Sequence, residues 1–258
     1  MGIVRTLLTA LLTAATSIAL AYSLFGLGFA ACTAPQATSF IGGTFSGWEH
    51  STFPEEDMAA IAEEVRSFSI EGTPSDQLYN TIYQAISEAQ PALAQTLDAG
   101  SLADAGIGAL PGETKGLAET LEQYSLPDDA LSHLKDCTPI FTTGRISVGV
   151  VGAFGVAGLV ALALIAGRKR AGGALMAAAA LVIGVIVALG AWAVIDFNGL
   201  FTWMHSLLFA QGSWLFDPDS LLIRLFPEAF WAAMAALWVL TSLICALLAG
   251  LIGKILAH

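Results

Sequence analysis

Four apolar runs, Thr6 to Ala31, Ile146 to Gly167, Ala171 to Ile195 and Ala229 to Gly253, constrain this chain more than any other feature, because each can cross a bilayer as one helix. A hydrocarbon core of about 30 Å takes roughly 20 helical residues, and inside it every backbone N–H and C=O must find a partner within the protein. The balance of residues agrees: 56% are hydrophobic and 12% charged, against roughly 25% charged in a soluble domain. The expected fold class is therefore an all-α integral membrane protein, with four transmembrane helices and a mainly helical extracytoplasmic cap between spans 1 and 2. The expected divisions are a first span at 1–31, the cap at 32–144, spans 2 and 3 with a short basic turn at 145–195, an aromatic interfacial or re-entrant segment at 196–227, and the last span at 228–258.

Charge orients these spans. Lys and Arg beside short loops are retained in the cytoplasm, and Arg5, the Arg168-Lys169-Arg170 turn and Lys254 mark one side. With four crossings both termini are then cytoplasmic, in a multi-pass cell-membrane protein with cap and site on the outer face. All 21 Asp and Glu residues lie on that face, 17 of them between Glu49 and Asp136. The net charge of −11 belongs to this cap and argues against nucleic acid as a partner; membrane lipid is the expected surrounding. Phe29-Ala30-Ala31-Cys32 imitates the end of a lipoprotein signal, but the apolar run is much longer than the usual ~7 to 15 residues, so a retained helix is expected.

Within the cap, Pro54 opens a helix whose first turn carries Glu55, Glu56 and Asp57, where carboxylates favour the positive end of the helix dipole. Gly72 to Pro74 breaks the chain, and a second helix from Ser75 carries Leu78, Ile82 and Ile86 as an amphipathic stripe. Ala99 to Gly116 reads as loop. Ser125 to Cys137 reads as a short helix capped by Ser125 and ended by Pro139. On it Asp129 precedes His133 by four residues and Asp136 follows by three, so both carboxylates can flank one imidazole. An exposed acidic helix with an incidental histidine fits the same residues.

The other notable segment runs from Asp196 to Trp231. There His205 sits among aromatics beside the acidic turn Asp217-Pro218-Asp219, and ionisable groups are rare so close to a membrane without a functional reason. Arg224 is expected to pair with Asp217 or Asp219, either to anchor an interfacial segment or to meet a substrate. Phe197, Phe201, Trp203, Phe209, Trp214 and Phe216 could wall off water and hold acyl chains. A bundle histidine bonded to backbone is the bland reading of His205.

At these residues the chain resembles the bacterial lipoprotein intramolecular transacylase (Lit) family. The resemblance lies in His133-x-x-Asp136 together with Met204-His205, Gly212-x-Trp-x-Phe-Asp-Pro218 and Leu222-Ile-x-x-x-Pro-Glu228. It implies four spans, an extracellular cap and two catalytic histidines, by motif match His133 and His205. It further implies transfer of the sn-2 acyl chain of a diacylglyceryl-modified lipoprotein to the α-amine of its N-terminal cysteine, giving the lyso-form.

Under that resemblance the expected catalytic residues are His133, His205 and Asp136, the last as orienting partner. Phe201, Trp203, Trp214, Phe216, Asp217, Asp219 and Arg224 are the expected substrate contacts, and no cofactor or metal is expected. Ser132 and Ser206 adjoin the histidines in sequence, but neighbours on a helix point in different directions. Two other readings stay open: a metal-dependent membrane hydrolase using His133, Asp136, His205 and Asp217, whose spacing matches no familiar zinc pattern, and a non-catalytic partner protein. A Cys32–Cys137 disulfide at the outer boundary is a further expectation.

Overall fold

The computed structural model describes residues 2–51, 53–94 and 122–258. Among them the secondary structure is all helical: α1 (Gly2–Cys32), α2 (Pro35–Phe45), a 3-10 turn (Trp48–His50), α3 (Glu55–Arg66), a wide turn (Ser67–Glu71), α4 (Ser75–Ala89), α5 (Pro91–Ala94), α6 (Asp128–Ala166), α7 (Arg168–Ile195), α8 (Phe197–Leu208), α9 (Leu221–Leu225) and α10 (Glu228–Ala257). The loop expected at Ala99 to Gly116 lies outside the described residues. Helices α1, α6, α7 and α10, of 31, 39, 28 and 30 residues, are long and apolar enough to cross a membrane. The protein is thus a multi-pass membrane protein with four spans.

The chain divides into two compact units. The membrane unit comprises Met1–Cys32, Thr143–Trp203 and Ala236–His258; the cap unit comprises Thr33–Thr142 and Met204–Ala235. The aromatic segment therefore joins the cap from Met204 onward.

In the membrane unit, small residues bring backbones together, because lipid tails compete equally for apolar side chains and close packing must supply the attraction. Along α6, Gly144, Gly152, Gly155 and Gly158 face Phe29, Ser23, Leu20 and Thr16 of α1, an antiparallel seam with almost no space for a Cβ. Gly28 lies against Trp238 and Ser242 of α10, and Gly172 and Gly253 pack backbone to backbone. Polar groups close these contacts: Trp238 Nε1 (2.8 Å) and Ser242 Oγ (3.0 Å) both donate to Phe25 O, and Tyr22 Oη and Ser147 Oγ share a 2.6 Å hydrogen bond. Arg5 Nη2 donates to Ile165 O at 3.5 Å, and Gly172 meets the end of α10, so Arg5, Arg168 to Arg170 and Lys254 gather at one end of this unit.

The cap has its own core. Phe53, Met58, Ile61, Leu78, Ile82 and Ile86 are buried with Leu126, Leu134, Leu221 and Leu225 in one apolar cluster. The α4 stripe thus packs into the cap interior. Pro54 stands at the start of α3, with Glu55, Glu56 and Asp57 in its first turn. At its far end Arg66, 4% exposed, is held by Glu63 at 2.7 Å and Glu71 at 2.9 Å; a buried guanidinium persists only when so paired. Gly72 then turns the chain with φ of 72°, a left-handed conformation that disfavours any side chain.

Two local expectations are overturned. Pro139 does not end the helix that carries His133: α6 runs unbroken from Asp128 to Ala166 with Pro139 inside it. Proline removes one N–H donor from the ladder, and here the loss falls on an exposed position within a long helix that continues into an apolar span. Nor does Ser125 cap that helix, which starts three residues later; instead Asp129 Oδ1 accepts the Ala130 N–H at 2.8 Å. The stretch before Phe53 holds α2 and the 3-10 turn.

Gly28→Val should force methyl groups into Trp238 and Ser242, and overpacking of this kind costs about 1–3 kcal/mol or more. The expected result is a lower midpoint of thermal unfolding in detergent, whereas Gly149→Val, where a Cβ meets nothing within 4 Å, should leave it nearly unchanged.

Candidate active site

His133 and His205 come from distant parts of the sequence and meet in the cap. Local folding explains both positions. On α6, Ala130 and Leu134 are buried at 1% and 6% exposure and turn inward to the cap core, which holds the intervening His133 at the edge of that core. Helix α8 ends just beyond His205, which is 8% exposed and whose carbonyl accepts the Phe209 N–H at 2.9 Å. The two imidazoles lie nearly parallel, ring centroids 6.3 Å apart and planes 27° from each other.

Aromatic rings surround the pair. Phe209 is 4.5 Å from His133 and 5.6 Å from His205; Phe216 is 5.5 Å from His133 and Trp214 5.0 Å from His205. Phe216 also packs against the cap core, followed at once by the acidic turn. Asp217 Oδ1 accepts the Asp219 N–H at 2.8 Å and its carbonyl accepts the Ser220 N–H at 3.0 Å, the side-chain turn chemistry typical of Asp-Pro. Arg224 pairs with Asp219 at 3.2 Å, and its carbonyl accepts the Gly47 N–H at 2.8 Å, which ties α9 to the loop after α2. Asp219 is well exposed, so the ion pair adds little stability by itself.

The site's electrostatics favour neutral imidazole. The 39 residues of α6 would span about 58 Å at 1.5 Å per residue, twice the thickness of a hydrocarbon core. Its apolar run begins at Ile146, more than three turns after His133, so His133 stands outside the spanning part. Burial lowers the His133 pKa first, and the neighbouring His205 lowers it further, while Asp136 pulls it back up. Asp136 is exposed and forms no hydrogen bond with the ring among the described residues, so it acts on His133 through space. Asp129 is likewise exposed and occupied by the helix N-terminus.

Among the described residues, no group of three or more His, Cys, Asp or Glu side chains has the geometry to hold a metal ion. The set His133, Asp136, His205 and Asp217 is not such a group. Phe201 and Trp203 are placed in the membrane unit, where Phe201 stacks with Phe197 at 6.3 Å and Trp203 meets Trp192 at 5.2 Å. Among the described residues Cys32 and Cys137 are not joined by the expected disulfide. Two neighbours of His133 were not singled out by sequence as its contacts: Phe209, and Cys137, whose Sγ lies 4.0 Å from Nε2. The four-residue spacing of His133 and Cys137 on one helix was the available signal for the second.

Fold and site together define a class: a four-span membrane protein whose cap holds two imidazoles in an aromatic enclosure. Residues 113–231, which include both histidines, match the family lipoprotein intramolecular transacylase Lit. Among solved structures, the chain is similar to the membrane-integral lipoprotein intramolecular transacylase Lit from Bacillus cereus, at a TM-score of 0.67 and 19% identity over 96% of this chain and 95% of that one. A histidine-to-arginine variant of the same enzyme gives 0.65 and 16%, covering 98% and 93%. At such identities the likeness is one of fold. No curated protein matches the chain by sequence. The family match covers 119 of the 258 residues, so what is found is a similarity to Lit in that segment together with a shared fold.

Because burial and His205 hold His133 below its usual value, NMR titration of its ring in micelles should give a midpoint under 6.5. His205→Ala should raise that midpoint and Asp136→Asn lower it. The sign for stability follows from linkage: the folded pKa is depressed, so the unfolded state binds more protons just below pH 6.5 and this contribution to stability is lost as pH falls through that window.

Proposed function

We propose that this protein moves the sn-2 acyl chain of a lipoprotein's diacylglyceryl group to the α-amine of the same molecule's N-terminal cysteine, on the outer face of the cell membrane with both termini in the cytoplasm. The observation that carries this reading is the pair of near-parallel imidazoles enclosed by Phe209, Trp214 and Phe216 within the segment that matches the Lit family. The basic cluster at one end of the membrane unit supports the orientation.

The chemistry needs little else. Amine and ester belong to one molecule, and holding them in attack geometry can supply about 7 to 11 kcal/mol of the barrier in favourable cases. No enzyme nucleophile is required, which suits Ser132 and Ser206, both exposed beside the histidines. His133 accepts a proton from the neutral amine as the C–N bond forms. His205 stabilises the oxyanion and donates a proton to the glyceryl oxygen as the C–O bond breaks, and the proton held on His133 returns to His205. One proton leaves nitrogen and one arrives on oxygen, so the enzyme ends as it began.

An α-amine has an ordinary pKa of about 7.7 to 8.0, within reach of a neutral imidazole. The aromatic enclosure excludes water, which would otherwise hydrolyse the ester. Trp214 and Phe216 serve as acyl-chain contacts, and Asp217, Asp219 and Arg224 meet the polar end of the substrate.

The test is tandem mass spectrometry of a reporter lipoprotein's N-terminal lipopeptide from cells lacking other N-acylation. The shift is isobaric, so fragments must locate the chain. With the intact protein one acyl chain should sit on the amine. His133→Ala and His205→Ala should each reduce this product by about 10²-fold or more, the usual contribution of general acid–base catalysis, while the thermal midpoint stays near that of the parent. Full activity in both single variants would end the mechanism.

A further inference from the structure

Cys137 has no part in the reaction above, yet its sulfur lies within hydrogen-bond reach of one nitrogen of the proposed base. We propose that His133 takes the substrate proton through Nδ1, and that Cys137 is the positioning residue that holds the opposite nitrogen, Nε2. This deepens the transacylase reading and rests on His133 acting as its base.

A neutral imidazole carries its hydrogen on one nitrogen and is basic only at the other. The tautomer therefore decides which atom can work. On α6 the four-residue spacing brings Cys137 Sγ to 4.0 Å from His133 Nε2, within reach of a hydrogen bond to sulfur. Nδ1 is fully buried and has no hydrogen-bond partner among the described residues. A hydrogen placed on Nδ1 would be a buried, unmet donor, at a penalty of about 1–3 kcal/mol. A hydrogen placed on Nε2 is met by sulfur, leaving Nδ1 bare. That bare atom is sheltered from water and is the orphan that an incoming amine N–H would satisfy.

Sulfur suits the task better than a carboxylate would. Burial, followed by the charge of Asp136, pushes the Cys137 thiol up to about 12, so it stays neutral and neither competes for the proton nor attacks the ester. A carboxylate bonded to Nε2 would favour the imidazolium and hold the proton on the ring. The charged or titratable groups facing His133 are His205 from α8, and Asp136 and Cys137 from α6 itself; Phe209 and Phe216 fill other directions with apolar rings.

The tautomer can be read directly by nitrogen NMR of the full-length protein labelled with [15N]histidine in micelles, at a pH above the ring's titration. The His133 signals are those that vanish in His133→Gln. A bare Nδ1 and a protonated Nε2 are expected in the parent. In Cys137→Ala the two tautomers should mix and turnover should fall several-fold with KM unchanged, and Cys137→Ser should restore both. A hydrogen found on Nδ1 in the parent, or a Cys137→Ala protein with parental tautomer and turnover, would overturn the inference. The same series separates the two levels of the account. An inactive His133→Gln beside an unaltered Cys137→Ala sinks only the role of Cys137, whereas a fully active His133→Gln sinks the base and this inference with it.

Discussion

The cap core is the constraint on which the rest depends. Leu134 follows His133 directly on α6, and Phe216, Leu221 and Leu225 lie on the segment after His205; all four contribute to the same apolar cluster with α3 and α4. Two stretches more than seventy residues apart in sequence are thereby held together by burial, which at ~1.5–3 kcal/mol for each fully buried large apolar side chain is the strongest cohesive term available to them. The imidazoles meet because their neighbours are buried. Loosening that core would separate the rings without touching either one.

The same packing sets the chemistry. An aromatic enclosure makes the charged form of histidine unfavourable, and the second imidazole adds to the effect, so His133 is held toward the neutral form that the proposed proton transfer from an amine needs. The buried orphan at Nδ1 and the neutral sulfur at Nε2 are consistent with a site that waits for its missing hydrogen-bond partner. In the proposed reaction nucleophile and electrophile arrive on one substrate, so the protein has only to position and dehydrate, and a triad of side chains with its own nucleophile would be redundant.

Much of this was legible in the sequence because the membrane makes strong demands. Helices α1, α6, α7 and α10 follow from runs of apolar residues that water would not tolerate, and the stripe of Leu78, Ile82 and Ile86 from a period that only a helix presents on one face. Both histidines were visible through motif and unusual setting. Boundaries were less legible: Pro139 looked like a stop, yet its cost is spread over a long helix that propagates easily once formed, and Ser125 looked like a cap although the helix starts only at Asp128. The contacts of His133 with Phe209 and Phe216 depend on how distant segments fold back, which no local pattern encodes. Cys137 was read only as a disulfide partner of Cys32, and its place beside His133 Nε2 follows from the burial of that ring.

The central claim is that acyl transfer occurs within one substrate molecule, and a crossover experiment tests it most directly. The purified protein is given an equimolar mixture of two diacylglyceryl lipopeptides, one unlabelled and one carrying heavy isotopes in both its peptide and its sn-2 acyl chain. Tandem mass spectrometry of the N-acylated products should find only light chains on light peptides and heavy chains on heavy peptides. Products that pair a heavy chain with a light peptide in statistical proportion would show transfer between molecules, and would require the acyl-enzyme or second binding site that this account leaves out.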